Sequence, residues 1–117
     1  MTLALNKERL ALCYDFLEAT VPFCDWNMPH SENVEFRLVR SLDTRGWYNT
    51  INGKHVIAIS TNCVGTVKTL FEVMSHEMVH LHQADVGMET PHAEHNRAWH
   101  KLADKVCKCH GYDRLLF

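Results

Sequence analysis

A chain of 117 residues, 46% hydrophobic and 22% charged, is too short for two ordinary domains. It is long enough for one core that hides about two-thirds of the unfolded surface. A formal net charge of −2, with nine neutral histidines, gives no basic excess to neutralise phosphates, so nucleic-acid binding is expected only weakly or through a partner protein. Lys7, Glu8 and Arg9 interrupt the first apolar stretch, so neither a secretory leader nor a membrane span is expected, and a cytoplasmic protein is expected.

The first predicted element is a helix capped by Asn6, in which Leu10, Tyr14, Leu17 and Val21 recur at near-helical spacing before Pro22 ends it. Phe23 to Ser31 is irregular, and too short and aromatic for a flexible linker. Val34, Phe36 and Leu38 alternate with Glu35, Arg37 and Val39, the pattern of a strand. Asn52-Gly53 between two apolar segments, 47–51 and 55–59, is a strong hairpin signal. Its two-residue turn would pair Ile51 with Lys54, Thr50 with His55 and Tyr48 with Ile57. These three strands are expected to form an antiparallel sheet.

A long amphipathic helix follows, with Thr66 as N-cap and an apolar stripe of Val67, Leu70, Phe71, Met74, Met78 and Leu81. Off that stripe lies His76-Glu77-Met78-Val79-His80, an H-E-x-x-H segment. Residues four apart share a helix face, so His76 and His80 can direct two imidazole nitrogens at one zinc ion, while Glu77, one step round, is placed to take a proton from a metal-bound water. The chemistry this spacing serves is hydrolysis. Gly87 and Pro91 then mark a helix end and a loop, and Trp99, Leu102, Ala103 and Val106 define a final helix. His95, one turn before Trp99, is the favoured third ligand, with His92 and Glu94 as competitors and His82 rotated off the ligand face.

The segments Thr-Leu-Phe-Glu-Val-Met-Ser-His-Glu-Met-Val-His from Thr69 and His-Asn-Arg-Ala-Trp-His-Lys-Leu-Ala from His95 resemble the SprT-like zinc metallopeptidases. That family opens its third-ligand segment with H-G-x-x-F/W, and here Asn96 stands where Gly is usual. Thr44-Arg45-Gly46-Trp47-Tyr48 and Val56-Ile57-Ala58-Ile59-Ser60 are similar to the hairpin that precedes the active-site helix in the same family. The resemblance spans about residues 34 to 110. It implies one zincin-like α+β domain over residues 1–117, made of an N-terminal helix, the sheet, the H-E-x-x-H helix and a C-terminal helix. It further implies His76, His80 and His95 as zinc ligands, Glu77 as the catalytic residue, and a protein or peptide substrate. Small stand-alone members of the family point to a phage or bacterial setting.

Many members add a four-cysteine zinc ribbon, whereas Cys13, Cys24, Cys63, Cys107 and Cys109 form no C-x-x-C pair, so this chain is expected to be a short form with the catalytic module alone. Cys107, Cys109 and His110 fit helix-end packing better than a second metal site. His92, Arg97, Tyr48 and Tyr112 are the candidates to stabilise an oxyanion, and Glu72, Glu89, Glu94 and Asp85 to hold the ligand imidazoles. A substrate segment is expected to add as an extra strand at an unpaired sheet edge near the cleft. The rival expectation is a zinc-stabilised binding module with little or no catalysis, acting through a protein or nucleic-acid partner.

Overall fold

The computed structural model describes residues 3–90 and 93–117 and has α+β architecture. Helix α1 runs over Lys7–Glu18, strands β1, β2 and β3 over Val34–Val39, Gly46–Ile51 and Lys54–Ser60, and helices α2 and α3 over Val67–Val86 and Arg97–His110. Short 3-10 turns at Phe23–Asp25 and Ser31–Asn33 join α1 to β1.

The local signals act as read. Asn6 caps α1, its side chain accepting from the Arg9 amide at 2.8 Å, and Thr66 caps α2 by accepting from the Thr69 amide at 3.1 Å. Gly87 ends α2 with φ of 73°, a left-handed value that glycine takes without a Cβ penalty. Asn52 and Gly53 both have positive φ, which twists the turn in the sense of the strands it joins. The β2–β3 register is the one expected, Ile51 opposite Lys54, Thr50 opposite His55 and Tyr48 opposite Ile57.

The sheet is mixed, not antiparallel. Its strand order is β1-β3-β2, with β1 parallel to β3. The alternating pattern of Val34 to Val39 specifies a strand with a buried face and leaves its direction open. Direction is set by the six residues from Arg40 to Arg45, which pass over the end of β3 and are stitched to it. There Ser60 Oγ donates to the Ser41 carbonyl at 2.6 Å, Asn62 Nδ2 to the Arg40 carbonyl at 2.7 Å, and the Ser60 amide to the Arg45 carbonyl at 2.8 Å. β3 therefore sits between the two strands that precede it and becomes the most protected, with Val56 through Ser60 buried.

Leu10, Tyr14 and Leu17 of α1, Phe36 of β1, Ile57 and Ile59 of β3, Met74, Met78 and Leu81 of α2, and Trp99, Ala103 and Val106 of α3 meet in the core. Val21, expected on the α1 stripe, is 53% exposed. The helix stops at Glu18, because the residue before a proline is driven out of the helical region and Val21 cannot continue the turn. α2 is more buried than an amphipathic surface helix. From Val73 to Gln83 every residue but His76 is buried, whereas Val67 of the expected stripe is exposed. Its second face is closed by β2 and α3. At Gly46, the first residue of β2, a Cβ would fall 2.7 Å from the Ala58 carbonyl oxygen and 3.0 Å from Val73 Cγ1, so only glycine lets the strand lie this close to α2.

Candidate metal centre

α2 presents His76 and His80 one turn apart, and the segment entering α3 brings His95 to them. The ligand-capable atoms of all three lie within 4.8 Å of one another, close enough to hold a metal ion. Nε2 of His80 and Nε2 of His95 are 3.1 Å apart. Among the described residues this is the group of histidine, cysteine and carboxylate side chains with metal-binding geometry.

Trp99 forms the floor beneath the imidazoles. Its indole stacks on His95 at 3.9 Å between ring centres and on His80 at 5.5 Å, and tilts against His76 at 4.9 Å. The Trp99 side chain therefore packs the core and orients the three imidazoles at once. Its buried Nε1 has no hydrogen-bond partner among the described residues.

His76 is fixed from behind. Its Nδ1 lies 2.5 Å from the main-chain oxygen of Phe117, and because that oxygen only accepts, Nδ1 carries the proton and Nε2 keeps its lone pair for a metal. His95 is placed by Asn96, the N-cap of α3. Asn96 Oδ1 accepts from the Trp99 amide at 2.8 Å and from Gln83 Nε2 at 2.9 Å, while its Nδ2 donates to the Met88 carbonyl at 3.1 Å. Asn96 thus ties the segment that carries His95 to α2. His95 itself precedes the helix and is exposed, with its ring laid against the buried Trp99.

Burial, followed by the neighbouring His80 and then by other cations, pushes the His76 pKa down to about 4, and burial with His95 nearby does the same to His80. Partial burial lowers His95 as well, against the pull of Glu94. All three rings are then neutral near pH 7, the form that coordinates metal. An all-imidazole donor set suits zinc and other borderline transition ions and disfavours the oxygen-seeking calcium and magnesium.

Glu77 is 5% exposed and lines a cavity of about 140 Å³ with His76, Thr44, Arg45, Gly46 and Val73. Burial, reinforced by Glu94 and opposed by Arg45, raises its pKa to about 8. A cation beside it acts in the opposite sense and favours the carboxylate. On the other side of the imidazoles, Tyr48, His80, Gln83, Glu89, Thr90, Ala93 and Glu94 line an open cavity of about 350 Å³. The Tyr48 hydroxyl lies 2.6 Å from His55 Nδ1, and His55 Nε2 lies 3.4 Å from the Asp85 carboxylate, which anchors the hairpin to α2.

Other candidates fall elsewhere. His82 is buried against Trp26, stacked at 4.6 Å, and Glu94 lines the larger cavity without joining the imidazoles. Glu72 pairs with Lys68, Asp85 with His55, and neither holds a ligand ring. The Tyr112 hydroxyl is engaged inside the fold with Ser75 and the Phe71 carbonyl. Arg97 faces a groove on the far side of α3. His110 contacts Thr20, Cys107 is buried and Cys109 exposed, and they form no second metal group among the described residues. His92 lies outside the described residues. Arg45 and Phe117 carry no signal in the sequence that would single them out, because each reaches the site only through tertiary packing. Among the described residues, no helix is long and apolar enough to cross a membrane. No family model, curated protein or solved structure matches this chain.

Proposed function

We propose that this chain is a zinc-dependent metallopeptidase of the SprT-like type, with a zincin-like arrangement of sheet and helices, that hydrolyses peptide bonds in extended or unfolded protein segments. The observation that carries this reading is the conjunction of three imidazoles within 4.8 Å and a buried carboxylate, Glu77, lining the cavity that His76 also lines. His76, His80 and His95 would hold the metal. When bound there, zinc would supply Lewis-acid chemistry, polarising a carbonyl and acidifying water enough to react near neutral pH.

Glu77 takes the proton of the attacking water and returns it to the leaving amine. Its burial supports this assignment, since shielding from solvent makes a carboxylate a stronger base while a neighbouring cation keeps it ionised and ready to accept a proton. Tyr48 is the oxyanion candidate whose side chain lines a cavity beside an imidazole, and the proposal gives it that role. β2 is an edge strand of the sheet, with Gly46 on the Glu77 cavity and Tyr48 on the larger one. A peptide paired to its free edge is held by main-chain hydrogen bonds that read no side chains, which favours unfolded substrates.

The test is metal analysis with cleavage of an unfolded protein such as casein, comparing wild type with Glu77→Gln. Equimolar zinc in both and a loss of turnover of about 10² to 10⁴ or more in the variant are expected. Undiminished activity in Glu77→Gln overturns the assignment. Bound zinc without cleavage by either protein favours the binding-module reading.

A further inference from the structure

The face of α3 opposite the core carries Arg97, Lys101 and Lys105 at i, i+4 and i+8, all exposed, so the three cations stack along one line. Beside them Ala98 and Leu102 form an apolar flank, and Met88, 38% exposed at the end of α2, forms the facing wall. Together they enclose a groove of about 510 Å³, larger than either cavity at the imidazoles. We infer that this groove binds an acidic amphipathic segment of a partner protein, one apolar face seated against Met88, Ala98 and Leu102 and its carboxylates paired with Arg97, Lys101 and Lys105.

Charge complementarity selects the occupant. The chain is net negative, yet here three positive groups gather, and among the described residues no carboxylate lines the groove. Among the described residues none of the three forms an ion pair, and the neighbouring carboxylate of α3, Asp104, is taken by Arg114 at 2.6 Å. The apolar walls then decide between acidic partners. A phosphate backbone gains nothing from methionine and leucine side chains, whereas an amphipathic peptide uses both the cations and the walls. From Arg97 to Lys105 the stripe is about 12 Å long, which matches about two turns of a docked helix. This inference is independent of whether the metal centre is catalytic.

The probe is a fluorescein-labelled synthetic peptide about three helical turns long, with leucines at one-turn spacing and glutamates elsewhere, followed by anisotropy. Three controls accompany it: the same composition scrambled, lysine in place of every glutamate, and a single-stranded oligonucleotide of equal charge. Saturable binding of the acidic amphipathic peptide is expected, weakening with salt, with the scrambled and basic peptides at least about tenfold weaker. The double variant Lys101→Glu/Lys105→Glu should lose at least about tenfold in affinity for the acidic peptide, and Met88→Ser should lose affinity without changing the salt dependence. These three positions are exposed, so circular dichroism should show the fold unchanged. Equal binding of the acidic and scrambled peptides overturns the inference, as does binding that survives the charge reversal. Preference for the oligonucleotide over the acidic peptide also overturns it and marks the stripe as a polyanion site.

Discussion

Removing one imidazole while sparing the apo fold separates metal binding from everything else the site does. His95→Ala is suited to this because His95 is exposed and precedes α3, whereas His80 is buried in α2. Zinc–nitrogen bonds of about 2.0 to 2.1 Å place tetrahedral ligand nitrogens about 3.3 Å apart. The His80–His95 pair, at 3.1 Å, already spans such an edge, and the widest pair, within 4.8 Å, must close by at most about 1.5 Å, a side-chain rotation. Binding to this nearly formed site appears in full as folding stability, about 2.7 kcal/mol when free zinc is 100 times Kd. For 117 residues the unfolding entropy is about 0.25 kcal/mol/K, so Tm should rise by about 10 °C. Without zinc, His95→Ala should cost about 1 kcal/mol, the stacking on Trp99, or a few degrees. With zinc, even a hundredfold loss of affinity leaves about 0.4 kcal/mol, so the increment nearly vanishes. Differential scanning calorimetry of both proteins after chelation, and again with zinc restored, measures the two increments. A His95→Ala variant that keeps the wild-type increment refutes the three-imidazole centre, and so does a wild type that gains nothing.

Two further outcomes follow from single side chains. Asn96→Ala removes the α3 cap and leaves the buried Gln83 amide without its partner, so urea unfolding should show a loss of about 2 to 3 kcal/mol and chelator competition about tenfold weaker zinc binding. Burial raises the Cys13 thiol from 9.0 to about 12, above its unfolded value, so the neutral thiol stabilises the fold fully below pH 9 and that contribution drains away as pH rises toward 12. Urea unfolding between pH 8 and 11 should therefore show wild type losing about 1.4 kcal/mol more per pH unit above 9 than Cys13→Ala, and parallel curves would contradict the assignment.

What the residues disclosed on their own was local. Asn6, Thr66 and Gly87 delimit helices because each satisfies or terminates its own helix end, and Asn52-Gly53 sets the β2–β3 register because a two-residue turn admits few geometries. His76 and His80 were legible for the same reason, four residues apart on one helix. The direction of β1 was not, since it depends on contacts between Arg40–Arg45 and the end of β3, some 20 residues later. Nor was the support of the imidazoles. The acidic residues nearest in sequence were the natural candidates, but Glu72 and Asp85 are turned to other partners, and the group that fixes His76 is a backbone oxygen 41 residues away. A main-chain carbonyl is present at every position and so leaves no trace in composition.

The two sources of ligands differ in how firmly they are held, and the difference bears on how the site closes. His76 and His80 belong to a helix buried almost all round from Val73 to Gln83, so moving either ring beyond a rotamer change means disturbing the core. His95 belongs to a segment fastened chiefly through Asn96, whose bonds to Gln83, Met88 and the Trp99 amide are the ones that must yield if that segment shifts. Any contraction needed for coordination would therefore fall on His95 and not on α2. Trp99 would guide that motion, because a ring stacked at 3.9 Å slides parallel to the indole face more readily than it tilts from it. A site built this way keeps two imidazoles and Glu77 in fixed register on one rigid element, and would leave the third to adapt to an ion.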